Sequence, residues 1–356
     1  MTRLIEVLIS LAIVVALFLA ISLVLPSSRH LSQDIETNRK MTIVSDTLDS
    51  LHRFKDWNPL VLHDPKVQLK YSGPDSGVGA QMDYTSKLPE VGDGSWKIIA
   101  VDPGKSVTYA ITNNQRGTDK TSQFSFTPTG HGGRNIKITQ TYNVTYGWDL
   151  LGRYAGLYVS RHVGDDIKLG LDRLTSMLAT VPNVDYRMQD NRLVGLKTVE
   201  RPAENLLVVS AGSVPRDNDK LKASMKANME WIKRTVDASG LVADGPIRII
   251  STEFGGESYT FDIAQAVHRA GAPADAPLSG LKLQGPVKYV QTKAGHAATV
   301  SFTGFALGLD NVHNALRAWA LTQGFEVVDR PYDTYNNGVD QAFGDNGQFD
   351  VYWPLK

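Results

Sequence analysis

The chain of 356 residues contains no cysteine. That absence excludes disulfide bridges, thiolate catalysis and cysteine-bound zinc, and it leaves the redox compartment open. The chain also lacks net charge, because 37 lysine and arginine residues balance 37 aspartate and glutamate residues. Since a protein without a basic field has little to attract nucleic acid, we expect no nucleic-acid partner.

Several motifs that would define an enzyme or a metalloprotein are missing as well. The sequence has no HExxH motif, no GxSxG elbow and no group of histidines and carboxylates at metal-ligand spacing. Its glycine-rich stretches at 73–79 and 130–133 lack the spacing and the strand–turn–helix context of a phosphate-binding loop. We therefore predict no cofactor and no metal site, and the catalytic residues, if any, stay unassigned.

The longest apolar run lies at the N-terminus, where residues 7–25 carry no charge. As a helix this run would be about 28 Å long, close to the thickness of the hydrocarbon core of a bilayer. A cleaved signal peptide is the alternative, but its apolar region is usually about 7–15 residues long and ends at a small-residue cleavage site. The sequence therefore predicts a single-pass membrane anchor over residues 1–26, with residues 5–25 in the lipid bilayer.

The sequence indicates less directly on which side of the membrane the rest of the chain lies. Arg3 precedes the apolar run, whereas Arg29, Arg39 and Lys40 follow it, so a literal count of positive charges favours a cytoplasmic location. Long domains often translocate regardless of such charges. Both orientations stay open, and we favour the extracytoplasmic, or periplasmic, side.

Residues 27–181 combine short strand patterns with one long helical pattern. A polar bridge over residues 27–40 follows the anchor. Six segments between residues 67 and 144 then place β-forming residues between turns, which predicts an antiparallel meander. Apolar residues at helical spacing predict a long helix from about 148 to 179. Because a sheet and one helix cannot bury both faces as a flat layer, we expect the sheet to wrap around the helix and leave a cavity.

Five stretches of this domain form a characteristic combination: FKDWNPL (54–60), KYSGPDSGVGAQMDY (70–84), GDGSWKI (92–98), FSFTPTGHGGRNIKITQTY (124–142) and GRYAGLYVSRHVGDDIKLGLDRL (152–174). This combination resembles the SRPBCC superfamily and, more narrowly, its membrane-anchored polyketide cyclase/dehydrase branch. The resemblance implies a helix-grip, START-like fold with a deep hydrophobic pocket under the long helix. Trp57 is the candidate ligand-binding residue at the pocket mouth, with core or lid packing as the alternative role. The polar stretch 33–46 departs from the alternation that the first strand of such domains shows.

Residues 197–356 contain one order of elements twice, after a predicted linker at 182–196. In each half a strand pattern leads to a helical stripe, which stops at Gly240 or Gly324, and two further strand patterns follow. The strand patterns lie at 205–214, 246–254 and 257–267 in the first half and at 297–305, 330–336 and 347–355 in the second. The sequence therefore predicts an α+β protein with a membrane helix, a helix-grip domain and a duplicated βαββ domain.

The second half of this repeat contains HAATVSFTGFALGLDNVHNALRAWALTQGFE (296–326), YDTYNNG (332–338) and FDVYWPL (349–355). Together with the duplicated βαββ order, these segments resemble the GyrI-like effector-binding domain, also called the AraC-type or SOUL-related domain. That family implies a small-molecule pocket between the two halves, often with a glutamate two residues before a tyrosine at its floor. Asp333 stands at that position before Tyr335, with a side chain shorter by one bond. Tyr259 is the third candidate ligand-binding residue of this domain.

Two classes of function fit these features. The first is a membrane-tethered protein that binds or senses hydrophobic or amphipathic small molecules through two pockets. The alternative is an enzyme, either a cyclase or lyase in the first pocket or a hydrolase in the second, with Asp333 as candidate general base. Transcription regulation is disfavoured because no helix-turn-helix pattern precedes the effector-like domain. We favour binding over catalysis.

The predicted linker can be tested directly. Helical periodicity ends at Ala179, and a polar stretch separates it from the next strand pattern. We expect limited proteolysis of the chain to cut first within 182–196, and mass spectrometry of the fragments locates the cut. Early cleavage inside 67–144, with 182–196 intact, would contradict two independent domains.

Overall fold

The computed structural model describes residues 2–187, 193–254 and 256–356. The chain divides into two compact units, Met1–Asn183 and Val184–Lys356. Each unit has its own antiparallel sheet and helices, so the protein is α+β, as predicted. Residues 188–192 of the predicted linker lie outside the described residues, and a strand already begins at Leu193.

The first unit consists of a seven-stranded sheet, a long helix after it, an apolar helix before it and three short helices in between. The helices are α1 (Thr2–Val24), α2 (Met41–Leu48), α3 (Phe54–Trp57), α4 (Leu60–His63) and α5 (Leu150–Leu178). The strands are β1 (Ser28–Thr37), β2 (Gln68–Ser72), β3 (Gln81–Thr85), β4 (Asp93–Asp102), β5 (Ser106–Asn113), β6 (Thr118–Thr129) and β7 (Asn135–Thr145). The order β1-β7-β6-β5-β4-β3-β2 is the predicted meander with β1 added beside β7.

Helix α5 covers the inner face of this sheet. Every second side chain of β7, from Ile136 to Val144, is buried, as expected for a strand with one covered face. The buried stripe of α5 includes Ile167, Leu171 and Leu174, which recur at helical spacing. The helix begins at Asp149, whose carboxylate accepts a hydrogen bond from the Gly152 N–H at 2.9 Å and so caps its first turn.

A glycine lets the start of α5 lie close to the strands. A Cβ atom on Gly156 would come within 2.9 Å of the Tyr146 ring and 3.2 Å of Arg29 Nε. Real Cβ atoms essentially never approach another heavy atom to under 3.0 Å, so a larger residue would push the helix outward. The first turns of α5 therefore touch the β1–β7 edge of the sheet, where β1 and α5 make extensive contact.

The segment predicted as a polar bridge is instead the first strand. Strand β1 pairs antiparallel with β7 over its whole length, from Ser28 opposite Thr145 to Thr37 opposite Ile136. Its polar side chains pair across the strands: Asp34 forms an ion pair with Lys137 at 3.3 Å. The prediction was wrong because β1 lies at the edge of the sheet, where polar cross-strand pairs and backbone hydrogen bonds suffice without a continuous apolar face.

The second unit contains two helices of several turns, one short helix and eight strands in its described part. The helices are α6 (Asn218–Ser239), α7 (Leu309–Thr322) and α8 (Val339–Ala342). The strands are β8 (Leu193–Arg201), β9 (Asn205–Pro215), β10 (Leu241–Phe254), β11 (Ser258–Arg269), β12 (Lys288–Gln291), β13 (Gly295–Gly304), β14 (Tyr332–Tyr335) and β15 (Gly347–Leu355). They form one antiparallel sheet in the order β12-β9-β11-β10-β14-β15-β13-β8.

This order contains the repeat that the sequence predicts. The elements β9-α6-β10-β11 correspond to β13-α7-β14-β15, and the two sets meet where β10 pairs with β14, with Ile249 opposite Asp333. The outermost strands, β8 and β12, were not predicted. Apolar residues of α6 and α7, including Leu221 and Leu316, belong to one core cluster with side chains of the sheet, so both helices cover the same face.

The packing of α5 can be tested with two neighbouring leucines. Leu171 is 2% exposed, whereas Leu169 on the same helix is 41% exposed. We expect Leu171→Ala to lower the free energy of unfolding by about 2–5 kcal/mol, because it leaves a hole in a packed core. Leu169→Ala is the matched control and should change it by no more than about 0.5 kcal/mol. Chemical denaturation of the full chain measures both, and equal effects would contradict this packing.

Candidate functional site

The first unit encloses a cavity of about 630 Å³ between its sheet and α5. Strands β3, β4, β5 and β7 supply one wall, the middle of α5 supplies another, and residues 57–63 close one side. The middle of α5, from Arg161 to Gly170, lies over the cavity, and Ile167 there is buried. This is the pocket that the sequence analysis expected under the long helix.

One end of the cavity is aromatic. Edge-to-face contacts, with ring centroids 5.2–5.8 Å apart, join five aromatic residues of this unit: Phe54, Trp57, Trp96, Tyr109 and Phe124. Two of them, Trp57 and Trp96, line the cavity directly. Rings locked together in this way keep their positions, so this wall is a preformed apolar surface.

The other walls become polar along the strands. On β7 the inward side chains change from Ile138 to Gln140 and Tyr142, and Gln140 Nε2 donates a hydrogen bond to Ser122 Oγ at 3.0 Å. Burial raises the pKa of Tyr142 well above its ordinary value, and the nearby Tyr146 and Tyr84 phenols add to the shift. Burial likewise raises the pKa of Tyr84. Both phenols lining the cavity therefore keep their protons at neutral pH and can donate hydrogen bonds.

Charged residues surround the exposed part of the cavity. His63 Nε2 of α4 lies 2.9 Å from Asp166 Oδ1 of α5, and both side chains are about half exposed. Arg161 and His162, one turn earlier on α5, also line this part and are exposed. The cavity thus has an apolar inner end and a charged outer end.

Trp57, the residue proposed from the sequence, lies in the aromatic wall of the cavity rather than at its charged outer end. Its side chain is buried, and its indole N–H has no hydrogen-bond partner among the described residues. A buried donor without a partner costs free energy unless a ligand or water accepts from it. Its role in ligand binding stays a prediction.

Two further candidates, Asp333 and Tyr335, belong to β14. Both lie on the face of this strand that the helices cover. Asp333 is fully buried and accepts a hydrogen bond from His313 Nε2 of α7 at 2.6 Å. Its second oxygen, Oδ2, has no hydrogen-bond partner in the part of the chain that the structure describes. A general base must contact a substrate proton, and this burial does not support that role for Asp333.

Tyr335 and Tyr259 lie near Asp333 in the same core. The Tyr335 ring packs edge-to-face on Phe349 at 4.9 Å, and the Tyr259 hydroxyl lies 2.6 Å from Ser251 Oγ. Burial raises the pKa of both tyrosines, and the Asp333 carboxylate raises it further. The structure thus brings all three candidates of this unit together as a buried polar group, and their role in binding stays a prediction.

A second cavity of about 630 Å³ lies on the other face of this sheet. The alternate residues of β14, Tyr332 and Thr334, line it. Arg248 pairs with Glu204 through both guanidinium nitrogens, one of them at 2.6 Å, and lies over the Tyr332 ring at 5.3 Å. Arg248, one of the cations that line this cavity, is thus already paired with an acid and an aromatic ring of this unit.

Most of the residues around the first cavity carry no motif that singles them out in the sequence. Trp96, Tyr142 and Gln140 each occupy an inward position of a predicted strand, so the alternation within those strands could have found them. No sequence signal indicates the contact of His63 with Asp166, because 103 residues separate them. Among the described residues, no group of three or more histidines and carboxylates could hold a metal ion.

A match to a known protein family lies within the first unit. Residues 28–179, from β1 to the end of α5, match the family described as polyketide cyclase / dehydrase and lipid transport. This part of the chain is therefore a polyketide cyclase/dehydrase-like, SRPBCC-type domain, and that family implies the binding of hydrophobic molecules. No curated protein matches the chain.

Several solved structures are distantly similar. The C-terminal domain of EcmrR is 15% identical, with 46% of this chain and 97% of that chain covered and a TM-score of 0.37. A truncated norcoclaurine synthase from Thalictrum flavum is also 15% identical, with 42% and 93% covered and a TM-score of 0.33. An EcmrR–DNA complex is 14% identical, with 65% and 88% covered and a TM-score of 0.37. At such identities and TM-scores these similarities carry no argument about function.

The buried pair in the second unit generates a prediction. We expect His313→Leu to lower the free energy of unfolding by about 3–5 kcal/mol, because it leaves the buried Asp333 carboxylate uncompensated. The double variant His313→Leu with Asp333→Leu should recover much of that loss, since no buried charge remains. Thermal unfolding of the full chain measures the cycle, and strictly additive costs would contradict a coupled pair.

Proposed function

We propose that the protein is a membrane-tethered receptor that binds amphipathic small molecules in the cavity of its first unit. The observation that carries this proposal is the cavity itself, with Trp57 and Trp96 at an apolar end and His63 and Arg161 at a charged end. Pockets for small ligands combine mostly apolar walls with a few placed polar groups, and this arrangement fits that description.

The walls of the cavity change from apolar to polar to charged, and this change indicates the chemistry of the ligand. An apolar body lies against the two tryptophan rings, where burial stabilises it by about 25 cal/mol for each Å² of apolar surface. Hydroxyl or carbonyl groups along the ligand accept hydrogen bonds from the protonated phenols of Tyr84 and Tyr142. A charged or strongly polar end group remains near Arg161 and the pair of His63 and Asp166.

Helix α1 supplies the tether. Its segment Arg3–Val24 is long and apolar enough to cross a membrane, by length and composition. A helix of this length spans about 33 Å, slightly more than a hydrocarbon core. We place the units that follow it on the extracytoplasmic side, as the sequence analysis favours.

For the second unit we propose a GyrI-like effector-binding role. Its duplicated βαββ order and the buried group of Asp333, Tyr335 and Tyr259 support this assignment. The free oxygen of Asp333 is an acceptor suited to a cation or another donor once the core opens to a ligand. We propose no nucleic-acid partner. The 37 basic residues are balanced by 37 acidic residues, so the chain has no net positive charge to attract nucleic acid.

A substitution that fills the cavity tests the proposal. Val163 of α5 lines the cavity, and Val163→Phe places a ring where the ligand would lie. We expect about tenfold weaker binding of a dansyl-labelled fatty acid, because displacing even a small part of a ligand costs on the order of 1.4 kcal/mol. Energy transfer from tryptophan to the dansyl group, in the full chain reconstituted in nanodiscs, measures the saturable binding.

The matched control is Val78→Phe, the same change at an exposed valine outside the cavity. It should leave the affinity unchanged and should correct for partitioning of the probe into lipid. Equal affinity in the wild type and in both variants, or the absence of saturable energy transfer, would contradict a ligand in this cavity.

A further inference from the structure

The first turns of α5 are unusually apolar for an exposed part of a helix. The sequence from Trp148 to Ser160, WDLLGRYAGLYVS, contains only two charged residues, Asp149 and Arg153. Asp149 caps α5 and accepts hydrogen bonds from Arg116, while Arg153 is buried. Neither therefore places an unpaired charge on the outer face of this segment.

Large apolar side chains cover that outer face. Trp148 is 83% exposed, Leu151 is 53% exposed and Tyr158 is 61% exposed. Leu151, Tyr154 and Tyr158 recur at the spacing that puts side chains on one side of a helix. We call Leu151, Tyr154 and Tyr158, together with Trp148 just before the helix, the outer face of α5. After Ser160 most exposed positions of α5 are charged, beginning with Arg161 and Asp165.

Arg153 fixes this segment to the end of α1. Its Nη1 donates hydrogen bonds to the backbone oxygens of Ser22, Leu23 and Leu25 at 3.2–3.4 Å, and its Nε donates to Gly147 O at 2.8 Å. The last carbonyls of a helix lack partners within the helix and carry its negative dipole end, so a guanidinium is well suited to bind them. The outer face of α5 and α1 thus have a defined relative position.

A ring contact sets the depth of the outer face along α1. The Tyr154 ring stacks on Phe18 with centroids 5.0 Å apart and an angle of 16° between the planes. Phe18 lies six residues before Val24, so this contact lies about 9 Å inside the end of α1. With α1 across the bilayer, Tyr154 therefore reaches the boundary between headgroups and acyl chains, the depth at which interfacial helices lie.

We propose that the outer face of α5 is a second membrane-contacting surface, which rests on the bilayer beside α1. This proposal rests on the membrane tether of the proposed function. Continuity with α1 identifies the occupant as lipid, and the composition agrees, because tryptophan and tyrosine concentrate where a protein crosses the membrane–water interface. The charged outer end of the cavity begins at Arg161, one turn after Tyr158, and therefore lies next to the lipid headgroups.

The absence of cysteine makes this proposal directly testable. Single variants Leu151→Cys and Tyr158→Cys each accept one environment-sensitive fluorophore on the full chain. Leu8→Cys marks the N-terminal half of α1, and Leu169→Cys marks an exposed leucine farther along α5. Each labelled chain is reconstituted in phosphatidylcholine and phosphatidylglycerol vesicles, with nitroxide-labelled acyl chains as the lipid-side quencher and iodide as the aqueous one.

We expect lipid-side quenching and a blue-shifted emission for labels at 8, 151 and 158, and quenching by iodide alone for the label at 169. Quenching of the labels at 151 and 158 by iodide alone, with position 8 quenched from the lipid, would overturn the contact of α5 while leaving the tether intact. A label at 8 that lipid nitroxides do not quench would overturn the tether and this surface with it.

Discussion

The first unit depends on a single constraint: α5, together with the short helices α2 and α3, has to cover the inner face of a seven-stranded sheet. Helix α5 meets the sheet closely at Gly156, where a Cβ atom would strike Tyr146, and again where Ile167 and Leu171 are buried. Two inward side chains of β7, Gln140 and Tyr142, line the cavity beneath this helix. The cavity lies beneath the middle of α5, and Gln140 and Tyr142 make its β7 wall polar.

The same constraint explains why the two ends of α5 differ. The part that covers the sheet needs apolar residues on one side and charges on the other, which is the pattern after Ser160. The part before Ser160 is apolar on its outer side as well, and Arg153 there binds the carbonyl end of α1 instead of solvent. The proposed binding cavity and the proposed membrane-contacting surface thus lie on consecutive parts of one helix.

The second unit buries polar groups at the junction of its two repeats. Asp333 lies on β14, which pairs with β10 where the halves meet, and its partner His313 comes from the helix above. Burying a carboxylate away from water costs free energy, and the hydrogen bond to His313 offsets part of that cost. The unsatisfied oxygen is the feature of this core that packing alone does not explain.

Alternation and turn residues in the sequence were sufficient to predict the meander, the long helix and the duplicated βαββ order. They failed for β1, β8 and β12, because edge strands need no continuous apolar face. Alternation along a strand also predicts that Asp333 and Tyr335 share one face of β14 and that Thr334 lies on the other, as the structure has them. It could not say which face the helices cover, since that depends on contacts distant in sequence. The pairing of His63 with Asp166 was inaccessible for the same reason.

The central claim is that an amphipathic molecule occupies the cavity beneath α5. Photo-crosslinking of the reconstituted full chain with a diazirine fatty acid, followed by peptide mass spectrometry, tests it most directly. The account predicts saturable crosslinks to cavity residues such as Trp57, Trp96 and Tyr142, which excess unlabelled fatty acid competes away. Crosslinks confined to α1 and the outer face of α5, with none in the cavity, would contradict it.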